Sequence, residues 1–173
     1  METLSRCSLQ NMLASRDRRR ERQMIHFQTT PAATLVVATV VAPGEFKLTP
    51  RTGIVAQAMI ESLKKQFGQH ILTIGHQAFV SGHEVWLTLD CPAVEAKKTA
   101  VLIEDTHLLG RLFDIDVILS DMRPMSRVDI GQSPRKCLLC QNEARICMRS
   151  RQHSPEEINE HIESLIREYV NAR

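Results

Sequence analysis

The chain has 173 residues, 43% hydrophobic and 24% charged, which suits one domain, or one with a small appendage, whose core needs no disulfide support. Its 22 Lys+Arg and 20 Asp+Glu leave a net charge of +2, too little for bulk attraction to nucleic acid or membrane, and an aromatic content of 4% supplies few rings for stacking exposed bases. No window approaches the roughly 18 to 20 apolar residues of a membrane span, and METLSRCSLQNML has no signal-peptide apolar region, so the expectation is a cytoplasmic protein with reduced cysteines.

Residues 8–28 read as a helix capped by Ser8, with Leu9, Met12 and Leu13 opening an apolar face. Five arginines crowd SRDRRRERQ within it, which points either to an anionic ligand such as a phosphate or to a solvated basic face. TLVVATVVAP (34–43) is β-branched and reads as a central strand, followed by the loop PGEFKLTP (43–50). Thr49 caps the next helix, Pro50 takes its first position, Ile54, Ala58 and Leu63 face inward, and Gly68 ends it. Residues 69–80 and 83–90 form two strands joined across Ser81-Gly82. A helix follows Asp90-Cys91-Pro92, with Val94, Val101 and Leu102 on its inner face, and ends near Gly110. FDIDVIL (113–119) is the next strand.

The order over 34–119 is β-α-β-β-α-β, the pattern of a ferredoxin-like sheet with both helices on one face and the other face open. A nucleotidyltransferase-type α/β sheet of different strand order is the alternative. A Cys-rich knuckle (131–153) and a final helix (154–170) complete an α+β single domain. Ser154-Pro155-Glu156-Glu157 is a capping box, and Ile158, Ile162, Leu165, Ile166 and Tyr169 form an apolar stripe behind it.

The chemistry concentrates in HLLGRLFDIDVILS. Alternation along a strand sends Phe113, Ile115, Val117 and Leu119 to one face and Asp114 and Asp116 together to the other, about 6.5 to 7 Å apart. Two like charges at that spacing repel unless a cation lies between them, and Mg²⁺ binds through one or two carboxylates plus substrate phosphates. Two solvated aspartates on a half-exposed strand fit the same spacing. Gly110 permits close backbone approach, Arg111 suits a phosphate, and His107 is either an acid/base group or a structural residue. Asp90 is a third carboxylate or a helix cap.

Cys137-x₂-Cys140-x₆-Cys147-x₅-His153 supplies three thiolates and an imidazole, enough for tetrahedral structural zinc. Reduced packing cysteines and a redox C-x-x-C remain alternatives, the latter weakened by the lack of a thioredoxin-like strand-to-helix context. Cys7 and Cys91 have no partners in sequence.

THLLGRLFDIDVI, SPRKCLLCQNEARICMRSRQH and the capped final helix resemble the apo-citrate lyase phosphoribosyl-dephospho-CoA transferases, or holo-citrate lyase synthases. SRDRRRERQ and VVAPGEFK fit the same family in the same order, so the resemblance spans nearly the whole chain. The loop departs from the family's N-x-PGP-x-K: Pro43, Gly44 and Lys47 match, while Ala42 and Glu45 do not. The resemblance implies transfer of the 2′-(5″-phosphoribosyl)-3′-dephospho-CoA group from its triphosphate precursor to a serine of the acyl carrier (gamma) subunit of citrate lyase, with release of pyrophosphate. In that frame Asp114 and Asp116 hold Mg²⁺, and Arg111, Gly110, Lys47 and Gly44 meet the triphosphate. Arg16, Arg19 and Arg22 form an anion-binding edge or dock an acidic carrier, and His107 is the serine's base. Cys137, Cys140, Cys147 and His153 then hold a structural Zn²⁺ that keeps Arg135 and Arg149 near the site. Against it stand a zinc-knuckle nucleic-acid-binding module and a non-catalytic docking protein. Low aromatic content, near-zero charge and an unexplained aspartate pair count against the first, and the second requires that the carboxylates be dispensable.

Overall fold

The computed structural model describes residues 4–173. Among them are five helices, α1 (Leu9–Thr29), α2 (Pro50–Phe67), α3 (Ala93–Thr106), α4 (Ala144–Ser150) and α5 (Pro155–Asn171). Four strands, β1 (Thr34–Val40), β2 (Ile71–Phe79), β3 (Gly82–Leu89) and β4 (Phe113–Ile118), make one sheet of order β2-β3-β1-β4. Every neighbouring pair is antiparallel. The architecture is α+β.

Sequence-encoded caps set the helix starts. Ser8 with Asn11, Thr49 with Thr52, and Ser154 with Glu157 each form a reciprocal capping box, and Pro50 and Pro155 open α2 and α5. Each box satisfies two backbone N–H groups that a helix start otherwise leaves to water.

The two faces of the sheet differ in kind. Val36, Ala38, Val85, Leu87, Phe113, Ile115 and Val117 point to one face, where they pack with Val55, Met59 and Leu63 of α2 and Ala96, Ala100 and Ile103 of α3. Ile166 of α5 reaches the same core, with Ile162, Leu165 and Tyr169 beside it. Some expected inward positions turn outward. Ile54 is 36% exposed, Val94 44% and Leu102 51%, because α2 turns Val55, Met59 and Leu63 to the sheet and α3 turns Ala96, Ala100 and Ile103.

The expected open face is covered. α1 lies across it, with Phe27 packing on Leu35, Val37 and Ile118. The apolar face expected for α1 is not the one it buries. Leu9, Met12 and Leu13 are exposed, and its buried residues are Ser15 and His26. Polar and cation–π contacts join α1 to the sheet. Ser15 Oγ donates to Glu84 Oε1 (2.5 Å), Arg18 stands over Phe79 (4.0 Å to the ring centre) and Arg22 over Trp86 (3.8 Å). Trp86 in turn fills the space over Gly75, where an added Cβ would meet Cε2 at 2.2 Å.

β4 is an end strand, and its outer backbone groups are occupied. Glu104 Oε1 accepts from Ile115 N–H (2.9 Å), Lys97 Nζ donates to Ile115 O (3.3 Å), Met125 N–H to Val117 O (2.8 Å) and Arg135 Nη2 to Phe113 O (2.7 Å). Two of the charged side chains that do this, Lys97 and Glu104, are buried on α3. Such cover keeps an end strand from recruiting another chain.

Candidate active site

The approach to β4 fixes which way its side chains point. Gly110, Arg111 and Leu112 form a 3₁₀ turn after α3, and Leu109 N–H donates to His107 Nδ1 (3.0 Å). A Cβ on Gly110 would lie 2.5 Å from Glu104 O and 2.6 Å from Ile103 O. Only glycine lets this turn close against the end of α3, and the close approach expected of Gly110 is therefore to α3 rather than to a ligand. The strand then starts in phase, with Phe113 and Ile115 in the core and Asp114 and Asp116 on the α1 face.

There the aspartates line a groove of about 370 Å³ between α1 and β4. Arg16, Arg19, Arg20 and Gln23 of α1 form its opposite wall, and Val37, Thr39 and Met122 contribute to its lining. The register sets Thr39 beside Asp114 and Val37 beside Asp116. Burial, reinforced by the charge of Asp114, raises the Asp116 pKa to about 6, against the pull of Lys97 and Arg19. Asp114 is half exposed, and Arg135 Nη1 lies 3.3 Å from its Oδ1. Two carboxylates in one groove, one of them disfavouring its own charge, form a donor set that a hard divalent cation satisfies. Three arginines opposite them suit the oxygens of a polyphosphate.

Not every expected site residue reaches this groove. Arg16 and Arg19 line it, and Arg135 touches it through Asp114. Arg22 turns instead to Glu84 and Trp86. His107 lies against Phe113 and Tyr169 (ring centres 5.0 and 5.6 Å), on the core side of β4 and so across the sheet from the aspartates. Burial lowers its pKa, and its Nδ1 is taken by Leu109 N–H. It terminates α3. Arg111 donates to the carbonyls of Lys136 and of Cys137 (3.0 Å), so its guanidinium binds the knuckle. Lys47 Nζ donates to Ala42 O and closes its own loop, in which Gly44 takes φ +78° for the turn. That loop leaves the same end of the sheet as Asp114, since Val41 N–H donates to Leu112 O (2.8 Å). Asp90 is exposed, and α3 has no side-chain cap.

Two features of the α1 face are not evident in the sequence. Arg20 lies one helical turn from Arg16, the i, i+4 row, whereas a spacing of three had been expected to define the edge. Glu84 is 3% exposed at the centre of the α1 face, and its strand phase with Trp86 and Thr88 was the available signal.

The knuckle folds as a compact unit. Cys137 N–H donates to Asn142 O (2.7 Å), Ala144 N–H to Arg135 O (2.8 Å), and α4 then carries Cys147 inward. Arg151 takes a left-handed conformation (φ 50°), and the chain turns so that His153 comes back to the cysteines. The ligand atoms of Cys137, Cys140, Cys147 and His153 all lie within 4.8 Å of one another. Cys140 Sγ is 3.5 Å from Cys147 Sγ and 3.4 Å from His153 Nε2. Tetrahedral zinc with Zn–S near 2.3 Å and Zn–N near 2.0 Å requires about 3.8 and 3.5 Å for those two separations. Burial pushes the Cys137 thiol up, but N–H groups of Leu139 and Cys140 and the neighbouring thiols outweigh it and bring it down to about 7. A ready thiolate among three further ligands is what a soft metal site presents.

The knuckle and the groove share side chains. Arg111 binds the knuckle's first carbonyls, and Arg135, two residues before Cys137, bridges Asp114, Arg111 O (2.7 Å) and Phe113 O.

Comparison with known proteins bears on what these parts do. Residues 7–169 match the family model described as apo-citrate lyase phosphoribosyl-dephospho-CoA transferase. Proteins of that name from Shigella boydii serotype 18, Escherichia coli O157:H7 and Shigella sonnei are each 34% identical over 162 residues, covering 92% of this chain and 88% of the relative. With a family model spanning the knuckle, the groove and all four strands, the chain belongs to the apo-citrate lyase phosphoribosyl-dephospho-CoA transferase family of enzymes.

Proposed function

We propose that this chain moves the 2′-(5″-phosphoribosyl)-3′-dephospho-CoA group from its triphosphate precursor to a serine of the acyl carrier (gamma) subunit of citrate lyase. The observation that carries the reading is the groove, with Asp114 and Asp116 on one wall and Arg16, Arg19 and Arg20 on the other. The serine oxygen forms a bond to the α-phosphorus as the bond to pyrophosphate breaks, and the hydroxyl proton leaves to solvent. Arg16, Arg19 and Arg20 neutralise the pyrophosphate as it departs. Arg135 holds Asp114 in place, and the shelter around Asp116 keeps water from screening these charges.

Asp114 and Asp116 would hold Mg²⁺, which supplies charge neutralisation and alignment of the phosphoryl group. His107 and Arg111 have no direct part, since one caps α3 and the other binds the knuckle. Cys137, Cys140, Cys147 and His153 would hold a structural Zn²⁺ that keeps Arg135 against Asp114. The strand order β2-β3-β1-β4 with α2 and α3 on one face supports a ferredoxin-like core to which α1 is added on the other. No described helix is long and apolar enough to cross a membrane, and the unpaired cysteines suit a cytoplasmic setting.

Mass spectrometry of apo carrier incubated with the chain, the triphosphoribosyl donor and Mg²⁺ tests the transfer. The carrier should gain the mass of the prosthetic group, and an unchanged mass with a verified donor leaves the docking-protein or nucleic-acid-binding reading. Elemental analysis should find one zinc per chain, and well under one removes the zinc assignment.

A further inference from the structure

Glu84 is a carboxylate that the proposed reaction does not use, yet it sits buried on an inner strand of the sheet with three partners. Ser15 Oγ donates to Oε1, Arg22 Nη1 lies 3.3 Å from Oε2, and Arg19 Nε lies 3.9 Å from Oε1. Burying a carboxylate costs several kcal/mol of lost hydration, and an apolar residue would hold a helix to a sheet with less penalty. What an apolar residue lacks is direction.

α1 needs direction from elsewhere. Its apolar contact with the sheet is confined to its last turn, where Phe27 packs on Leu35, Val37 and Ile118, while Leu9, Met12, Leu13, Met24 and Ile25 are all exposed. Residues 15, 19 and 22 are spaced i, i+4, i+7 and share one helical face, which Glu84 clamps. Arg16, Arg20 and Gln23 follow them by one residue, about 100° further round, and that is the face that lines the groove. Arg19 belongs to both sets. Clamping the first face therefore aims the second at the aspartates.

Glu84 is poorly placed to join a metal there. It pairs with Thr39, and Thr39 with Asp114, so two strand spacings (about 10 Å) separate the two backbones. Its oxygens are already engaged.

We infer that Glu84 is a positioning residue for the polyphosphate of the donor: it sets the rotation of α1 so that Arg16, Arg19 and Arg20 face Asp114 and Asp116. This rests on the donor-binding role proposed above for the groove. The test compares the full chain with Glu84→Gln and with Arg22→Met, which removes the clamp from the less buried side. Binding of inorganic tripolyphosphate is measured by calorimetry, and transfer is measured with donor and carrier varied separately. Both variants should bind tripolyphosphate on the order of tenfold more weakly, and the KM for donor should rise and kcat fall while the carrier KM stays nearly unchanged. A lower melting temperature with unaltered tripolyphosphate affinity in both variants overturns the inference and leaves Glu84 a fold residue. A fall in kcat restored by extra Mg²⁺ overturns it in favour of metal ligation. If the unaltered chain binds tripolyphosphate but transfers nothing, the transferase reading fails while the affinity ratio still decides the role of Glu84.

Discussion

The sheet joins two unlike halves. Its α2/α3 face is sealed mainly by aliphatic side chains, most of them fully buried, whereas its α1 face, beyond the one apolar contact of Phe27, is joined by a hydroxyl, guanidinium groups, an indole and the buried carboxylate of Glu84. Apolar contacts are strong in sum and indifferent to orientation, so the first half supplies stability. Polar contacts give little net stability but fix angles, so the second half supplies placement of charge. Stability and site are thus segregated to opposite sides of one four-stranded layer.

That division can be broken from either side. The largest effect is expected from Asp114→Asn or Asp116→Asn, each of which should lower transfer by about a thousandfold (~4 kcal/mol) with the unfolding temperature kept or raised. Steady-state rates with circular-dichroism melts check this, and full activity in either variant ends the metal assignment. Leu63→Ala, at a fully buried position on the opposite face, should cost about 3 kcal/mol in urea unfolding while activity per folded molecule stays near normal. A proportionate loss of specific activity would mean that the halves are not independent.

The smallest effect is a pH signature of the α1 face. Asp116 has a folded pKa of about 6 against an ordinary value of 3.8, so between those values the folded chain holds the proton more tightly than the unfolded one. Stability from this group is therefore lost as pH rises from about 4 to about 6, by roughly 3 kcal/mol, and the penalty is constant above that. Metal-free urea titrations of the unaltered chain and Asp116→Asn should diverge across that window, the variant being the more stable at pH 7. Parallel curves would show that Asp116 carries no such strain.

The sequence was informative where one period decided the answer. A period of two separates Phe113, Ile115 and Val117 from Asp114 and Asp116, and no tertiary contact can overturn it without breaking the strand. Capping pairs are likewise local, and the starts of α1, α2 and α5 followed from them. The convergence of the knuckle's four ligands was legible from spacing. Neighbourhood was not. Leu9, Met12 and Leu13 advertise an apolar face, but nothing in the sequence says that α1 docks through Ser15, Arg18 and Arg22. Glu84 alternates as a solvent-facing residue would, and only the arrival of α1 buries it. Gly110 announced a close approach without naming its partner, and nothing in the sequence says that His107 packs on Phe113 and Tyr169 or that Arg111 donates to the knuckle's carbonyls.

The occupied outer rim of β4 has a consequence for association. A sheet polymerises only if both of its ends can accept a strand. Here one end is closed by Lys97, Glu104, Arg135 and Met125, and the other, β2, pairs with β3 alone. Strand addition at β2 therefore terminates after a single pairing, and edge-to-edge growth of folded chains into a fibre has no second step.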